Sequence, residues 1–351
     1  MRLKIILILL MFFNINSFAQ LNPDLIVGRW IKFDAEMRDG SKLLPRPYAD
    51  STYFEFTISR DKLSMNSNPL TKGKPYISYK LKDNYLKTSE TSGYTVERIS
   101  KDTLILCERI DGQQNDRLKC YHLIREETLN LNFLQKYQGK KEIVATKLFT
   151  PLLKGDIQGA IFKELGDKNI SNYHVIGNLK IYKEKKITAQ IIESSTNDST
   201  KINIITRILE NSYDKWDFKN FSQFDKIIIP FVLRVQRTTD KGIGFKGINI
   251  LYHTHDLEDV NRLYGPKISD LSKALELYDE GTKAYSKGKY LKAAELFSQS
   301  YELNPQELDG LYNKAIALFQ GGDKTGACKV WEELVKLGQT NGKEMYKTYC
   351  N

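Results

Sequence analysis

At 351 residues, with 41% of them hydrophobic, the chain is too long for a single core and too apolar for a disordered polymer, so two or three folded domains are expected. Its formal net charge is +10, but from Leu271 onward eleven lysines offset eleven acidic residues, which leaves the basic excess in the preceding part. Such an excess fits anionic envelope surfaces or acidic partners, the plainer alternative being a solvated surface with a positive bias.

Residues 1–19 read as a signal peptide. Arg2 and Lys4 precede an apolar run from Ile5 to Phe13, and Ser17-Phe18-Ala19 supplies a small-residue cleavage site. A spanning helix needs roughly 20 apolar residues, so the run is too short to serve readily as an anchor. The expectation is an exported chain, soluble after cleavage and not membrane-spanning. The abundance of Lys, Asn and Ile points to a Gram-negative periplasm, where nucleic acid is excluded as a partner.

Residues 22–126 read as antiparallel β-structure, a barrel or a sandwich. Tyr53 to Ile58, Tyr76 to Tyr79, Tyr94 to Ile99, Thr103 to Glu108 and Leu118 to Ile124 are short apolar runs between turn clusters. Gly28-Arg29-Trp30 opens the segment and Tyr121-His122-Leu123-Ile124-Arg125 closes it. That pairing resembles the lipocalin-like family, in which the tryptophan of a GxW motif plugs the barrel floor and a late arginine packs over the indole. The resemblance implies the fold, and a ligand cavity as one option.

Residues 127–145 are polar and read as a linker with a short helix. The segment 146–255 reads as an α+β domain. Pro151 to Leu165 has a helical apolar period, Leu179 to Tyr182 and Ile187 to Ile192 form a hairpin, and Ile202 to Tyr213 is an amphipathic helix followed by Trp216. Ile227 to Val235 is a final strand, whose Pro230 argues for an edge or a bulge. Ser194-Ser195, Trp216 and Ile229-Pro230-Phe231 in this order resemble the TonB C-terminal domain. The resemblance implies an edge strand that recruits an extended peptide by main-chain pairing, with Ile227, Ile229, Phe231 and Leu233 as its binding residues. The membrane helix and long spacer of a working energy transducer are lacking.

After a linker at 256–272, residues 274–351 carry a repeat. Leu277, Gly281, Ala284, Gly288, Ala293, Phe297 and Ser300 return thirty-four residues later as Leu311, Ala315, Leu318, Gly322, Ala327, Trp331 and Leu334, and Asn304-Pro305 marks the seam. Helices are expected at 274–286, 290–303, 308–320 and 324–337. The spacing resembles tetratricopeptide repeats, here two of them plus a capping helix around Lys343 to Cys350. Such repeats bind, and the groove candidates are Lys283, Ser286 and Lys287 from the first unit and Asn313, Lys314 and Ala317 from the second.

In an oxidising compartment the four cysteines favour disulfides over buried free thiols, and they allow three pairings. Cys107 and Cys120 flank the turn at Asp111-Gly112, while Cys328 and Cys350 fall on the last repeat and its cap, which favours those two pairs. Catalytic signals are weak. His253 and His255 share one side of an extended segment but lack further ligands, so no metal and no cofactor is expected. Gly242-Ile243-Gly244-Phe245-Lys246-Gly247 spells GxGxxG outside a strand-to-helix turn. Asp50-Ser51-Thr52, Asp102-Thr103-Leu104 and Asp198-Ser199-Thr200 match an O-glycosylation tripeptide common by chance.

The sequence therefore predicts a multidomain, non-enzymatic adaptor that binds proteins or peptides of the cell envelope, an outer-membrane receptor among the candidates. Participation in TonB-related transport and small-molecule carriage by the N-terminal domain are the alternatives.

Overall fold

A computed structural model describes residues 22–44, 53–166, 171–240, 243–262 and 268–350. The signal segment and Ser51 lie outside the described residues.

The N-terminal region begins with a single helical turn, α1 (Pro23–Ile26), and continues as β1 (Gly28–Met37), β2 (Glu55–Ile58), β3 (Lys62–Asn66), β4 (Ile77–Ser78), β5 (Lys80–Lys82), β6 (Tyr85–Lys87), β7 (Ser92–Ile99), β8 (Thr103–Ile110) and β9 (Lys119–Arg125). Each strand pairs antiparallel with its neighbour in the order β4-β3-β2-β1-β9-β8-β7-β6-β5. The two ends of that path, β4 and β5, are separated along the chain by Tyr79 alone. The sheet thus curls into a nearly closed barrel, in which β4 and β5 act as one bent strand. Alternation sends Phe56, Ile58, Leu63, Leu104, Leu106 and Leu123 inward, and burying each such side chain contributes about 1.5–3 kcal/mol.

Trp30 is fully buried at one end of the barrel, where its Nε1 donates to the Ile26 carbonyl at 2.8 Å. The Arg125 guanidinium lies 4.2 Å from the indole centroid and donates to the carbonyls of Leu25, Val27 and Lys101. Gly28 adopts φ +149°, and a Cβ there would sit 2.4 Å from Arg125 Nη1. The glycine, tryptophan and arginine are one packing unit, as the N-terminal motif leads one to expect. Cys107 and Cys120 face each other across β8 and β9 and are disulfide-bonded.

The central region holds α2 (Glu126–Lys136), β10 (Glu142–Val144), β11 (Leu152–Leu153), α3 (Ile157–Leu165), β12 (Tyr173–Tyr182), β13 (Lys186–Ser194), α4 (Ser199–Glu210), β14 (Trp216–Asp217), β15 (Lys226–Asp240), β16 (Ile243–Tyr252) and α5 (Leu257–Arg262). Asp156 caps α3 by accepting from the Gly159 amide, so the helix starts six residues after Pro151, and Leu152 and Leu153 pair with β14 instead. Asp198 caps α4 in the same way, onto the amides of Thr200 and Lys201. Ile161, Leu165, Ile205 and Leu209 of these helices pack on Leu179, Ile229, Phe231 and Leu233 of the sheet. The segment 127–145 is less of a linker than its polarity implies, because β10 joins the central sheet through parallel pairing with β15.

The peptide-accepting edge expected along Ile227 to Val235 is not free in the folded chain. β15 pairs with β12 along one side, and along the other with β10 at 226–228 and with β16 at 231–240. Ile227, Ile229, Phe231 and Leu233 are buried core residues, so an external strand has no place beside them. Pro230 sits where β10 ends and β16 begins. The proline did signal a break in a ladder, but the break is the gap between two partners on one side.

The C-terminal region is all-helical: α6 (Ile268–Ser286), α7 (Tyr290–Leu303), α8 (Asp309–Gln320), α9 (Lys324–Lys336) and α10 (Thr340–Tyr349). Within the first hairpin a Cβ on Gly281 would lie 2.8 Å from the Phe297 ring, which shows how closely α6 and α7 approach. Ala315 and Trp331 repeat that contact position in the second hairpin, both buried. Gly288 and Gly322, thirty-four residues apart, turn each hairpin with φ of +69° and +87°. Ser300, the position that breaks the apolar match with Leu334, donates to the Ala274 carbonyl at 2.8 Å. A disulfide between Cys328 and Cys350 ties the cap to α9. No helix among the described residues is long and apolar enough to cross a membrane.

The barrel region packs against both of the others. Leu70, from the barrel loop, is buried in the core of the central region, and its carbonyl accepts from the Leu153 amide at 2.8 Å. Beside it, Glu55 is buried and accepts from Arg29, Tyr53, Thr57 and the Gly73 amide. Burial pulls this carboxyl upward, yet the hydrogen bonds from Arg29, Thr57 and Tyr53 outweigh it and hold its pKa below the ordinary value.

Candidate functional site

At the barrel end away from Trp30 the interior is not filled, and the helical region lies over the opening. The attachment is specific. The Lys42 amide donates to the Gly338 carbonyl at 3.1 Å, Gln339 Nε2 donates to the Lys42 carbonyl at 3.0 Å, and the Thr340 amide donates to Ser41 Oγ at 2.9 Å. On the far side Arg117 and Asp309 form an ion pair at 2.5 Å, which raises the Arg117 pKa through that hydrogen bond.

Between these attachments lies a cleft of about 530 Å³, bounded by β1, β9, the turn before β9 and the N-terminal end of α8. This size falls in the range of small-molecule and peptide pockets, roughly 300–1,000 Å³. Its floor is aromatic: Phe54 and Tyr121 stack at 5.4 Å, and Phe56 meets both edge-on at 5.3 Å. Tyr121 donates to Glu108 Oε1 at 2.8 Å. Burial, then the nearby Glu108 charge, pushes the phenol pKa well upward, so it stays a neutral donor.

Ala35 and Met37 line the barrel wall, with Lys42 and Lys119 above them and Tyr312 on the helical side. Burial pushes the Tyr312 phenol up to about 12. Two acceptors in the cleft lining, Asp116 Oδ1 and Gln306 Oε1, are buried with no hydrogen-bond partner. Unsatisfied buried acceptors are costly, and these two are sealed from the cleft by the side chains around them. The arrangement can therefore hold an apolar or aromatic group against Phe54 and Tyr121, with Lys42 and Lys119 among the polar residues of the lining.

The groove candidates from sequence distribute differently. Lys283, Ser286 and Lys287 are exposed at the end of α6. Asn313 donates to the Tyr278 hydroxyl at 2.7 Å, and Lys314 donates to Ser298 Oγ at 2.9 Å, so both bridge neighbouring helices. Ala317 is fully buried between the hairpins with Ala284 and Phe297 and has no surface to offer a ligand. Of the second unit, Leu308, Asp309 and Tyr312 line the cleft. Sequence reasoning missed Phe54, Tyr121 and Tyr312 as site residues. The usable signal was alternation, since Phe54 and Tyr121 continue the inward rows of β2 and β9.

The histidines do not converge. His253 Nε2 lies 2.8 Å from Thr150 Oγ1, and His255 Nε2 lies 2.9 Å from Asn178 Oδ1. Gly244 and Gly247 of the GxGxxG string belong to β16, a strand and not a phosphate-binding turn, while Gly242 lies outside the described residues. Neither a protein-family model nor a curated protein matches this chain.

Proposed function

We propose that this chain is an exported, non-catalytic binding protein of the cell envelope, and that it holds an extended peptide segment in the cleft between the barrel mouth and the second helical hairpin. The observation that carries this reading is the composite cleft itself, with its aromatic floor and walls from two regions of the chain. The thirty-four-residue hairpins support it, because tetratricopeptide-like helices of this kind are binding elements. In this reading the barrel is lipocalin-like, and its mouth serves as one wall of a peptide site.

The order β13-β12-β15 with α4 packed beside it supports a TonB C-terminal-like fold for the central region. Its recruiting edge is occupied by β16, so the region serves as a support packed against the barrel loop. Small-molecule carriage is the second reading, favoured by the same aromatic floor at the mouth of an otherwise packed barrel.

Ala35 is small and lines the wall, so Ala35→Trp fills the cleft from within. Full-length wild type and the variant are passed over envelope extract, and bound peptides and small molecules are identified by mass spectrometry. Peptide segments retained by wild type and lost with Ala35→Trp support the proposal. A small molecule lost in their place supports carriage, and identical sets from both proteins overturn the cleft as the binding site.

A further inference from the structure

A second, larger cavity lies at the seam where the barrel loop 67–71 meets the central region. Its volume is about 700 Å³, and it is separate from the cleft under the helical hairpins. Pro69 of the loop, Leu153, Ile250 and Leu251 supply apolar walls. Only one part of its lining is cationic and without an internal partner. Lys147 lines the cavity and, among the described residues, makes no ion pair or hydrogen bond. Lys154, the other lysine of the lining, is paired with Asp217 at 3.0 Å. The lining carboxylates keep their charge but make no ion pair with Lys147: Asp156 caps α3, and Asp259 accepts from the Thr254 hydroxyl at 2.6 Å.

An unpaired ammonium beside a partly apolar cavity is a place where a bound anion gains, because the apolar walls strengthen the attraction. We propose that the seam cavity binds an apolar molecule carrying a single carboxylate, with the carboxylate on Lys147 and the apolar body between the barrel loop and β16. His253 also lines this cavity and feels the Lys147 charge, which together with burial lowers its pKa. A carboxylate seated on Lys147 cancels that charge at the imidazole, so His253 reports occupancy.

Sodium dodecanoate below its micelle concentration, and dodecanol as its uncharged counterpart, are titrated into the full chain and into Lys147→Met. The His253 imidazole resonances, identified by their absence in His253→Asn, are followed in the wild type. The expected result is that dodecanoate binds wild type about tenfold or more tighter than Lys147→Met, the loss of one charge-assisted contact. Dodecanol binds both proteins alike, which shows that the variant keeps its cavity, and dodecanoate moves the His253 resonances. Equal dodecanoate affinity in the two proteins, no binding to wild type, or binding that leaves His253 unmoved overturns the proposal.

Discussion

Trp30, Gly28 and Arg125 show how much a few residues decide. The indole closes the barrel, the guanidinium covers the indole and ties three carbonyls, and the glycine leaves room for the guanidinium. Gly28→Ala puts a methyl into Arg125 and onto a backbone angle L-residues avoid, and should cost roughly 1–3 kcal/mol, read as a lower urea midpoint. His253 gives a pH-dependent counterpart. Its φ is +72°, and burial, then the Lys147 charge, lowers its pKa from 6.5 to about 4. The unfolded chain therefore binds the proton more readily than the folded one. The stabilisation is fully present above about pH 6.5 and is lost as pH falls toward 4, a maximum of roughly 3 kcal/mol. Asparagine tolerates the left-handed angle, so His253→Asn should flatten this part of the stability profile between pH 6.5 and 4 in denaturant titrations.

At the level of elements, the helices were the most legible part of the sequence. A period of thirty-four places Gly288 and Gly322 at equivalent turns, and the predicted boundaries of the second to fourth helices lie within a residue of those observed. The disulfides were legible too, because Cys107 and Cys120 flank a turn. Removing the other bridge in Cys328→Ala/Cys350→Ala should cost on the order of 3 kcal/mol, with α10 exchanging its amide hydrogens before α8 and α9. The strand β15 was misread because Pro230 reports a local break without saying whether another strand resumes on the same side. Ile243 to Tyr252 is that strand, and its glycine-rich start hid it. Two of the outer strands, β13 and β16, also carry a side-chain cap on an amide, Glu210 on Ala189 and Gln158 on Ile250, which blunts them toward further pairing. Peptides of extended conformation titrated into the full chain should therefore leave the amide signals of residues 231–235 unshifted.

Across the whole molecule, the contacts that create both cavities join residues far apart in sequence, and no periodicity announces them. Leu70 reads as one apolar residue in a polar loop until it is seen in the core of another region, and Gly338 reads as a helix terminator until Lys42 lies against it. The site was legible only in part for the same reason: alternation marks Phe54 and Tyr121 as inward, but nothing local says that Tyr312 and Gln306 come to face them. In the proposed function, barrel and hairpins form one binding cleft. It is tested most directly by hydrogen exchange on the full chain, with and without a peptide recovered by wild type and not by Ala35→Trp. Simultaneous protection of residues 54–58, 119–121 and 306–312 is expected. Protection confined to one of the two walls, or appearing elsewhere with these segments unchanged, would contradict it.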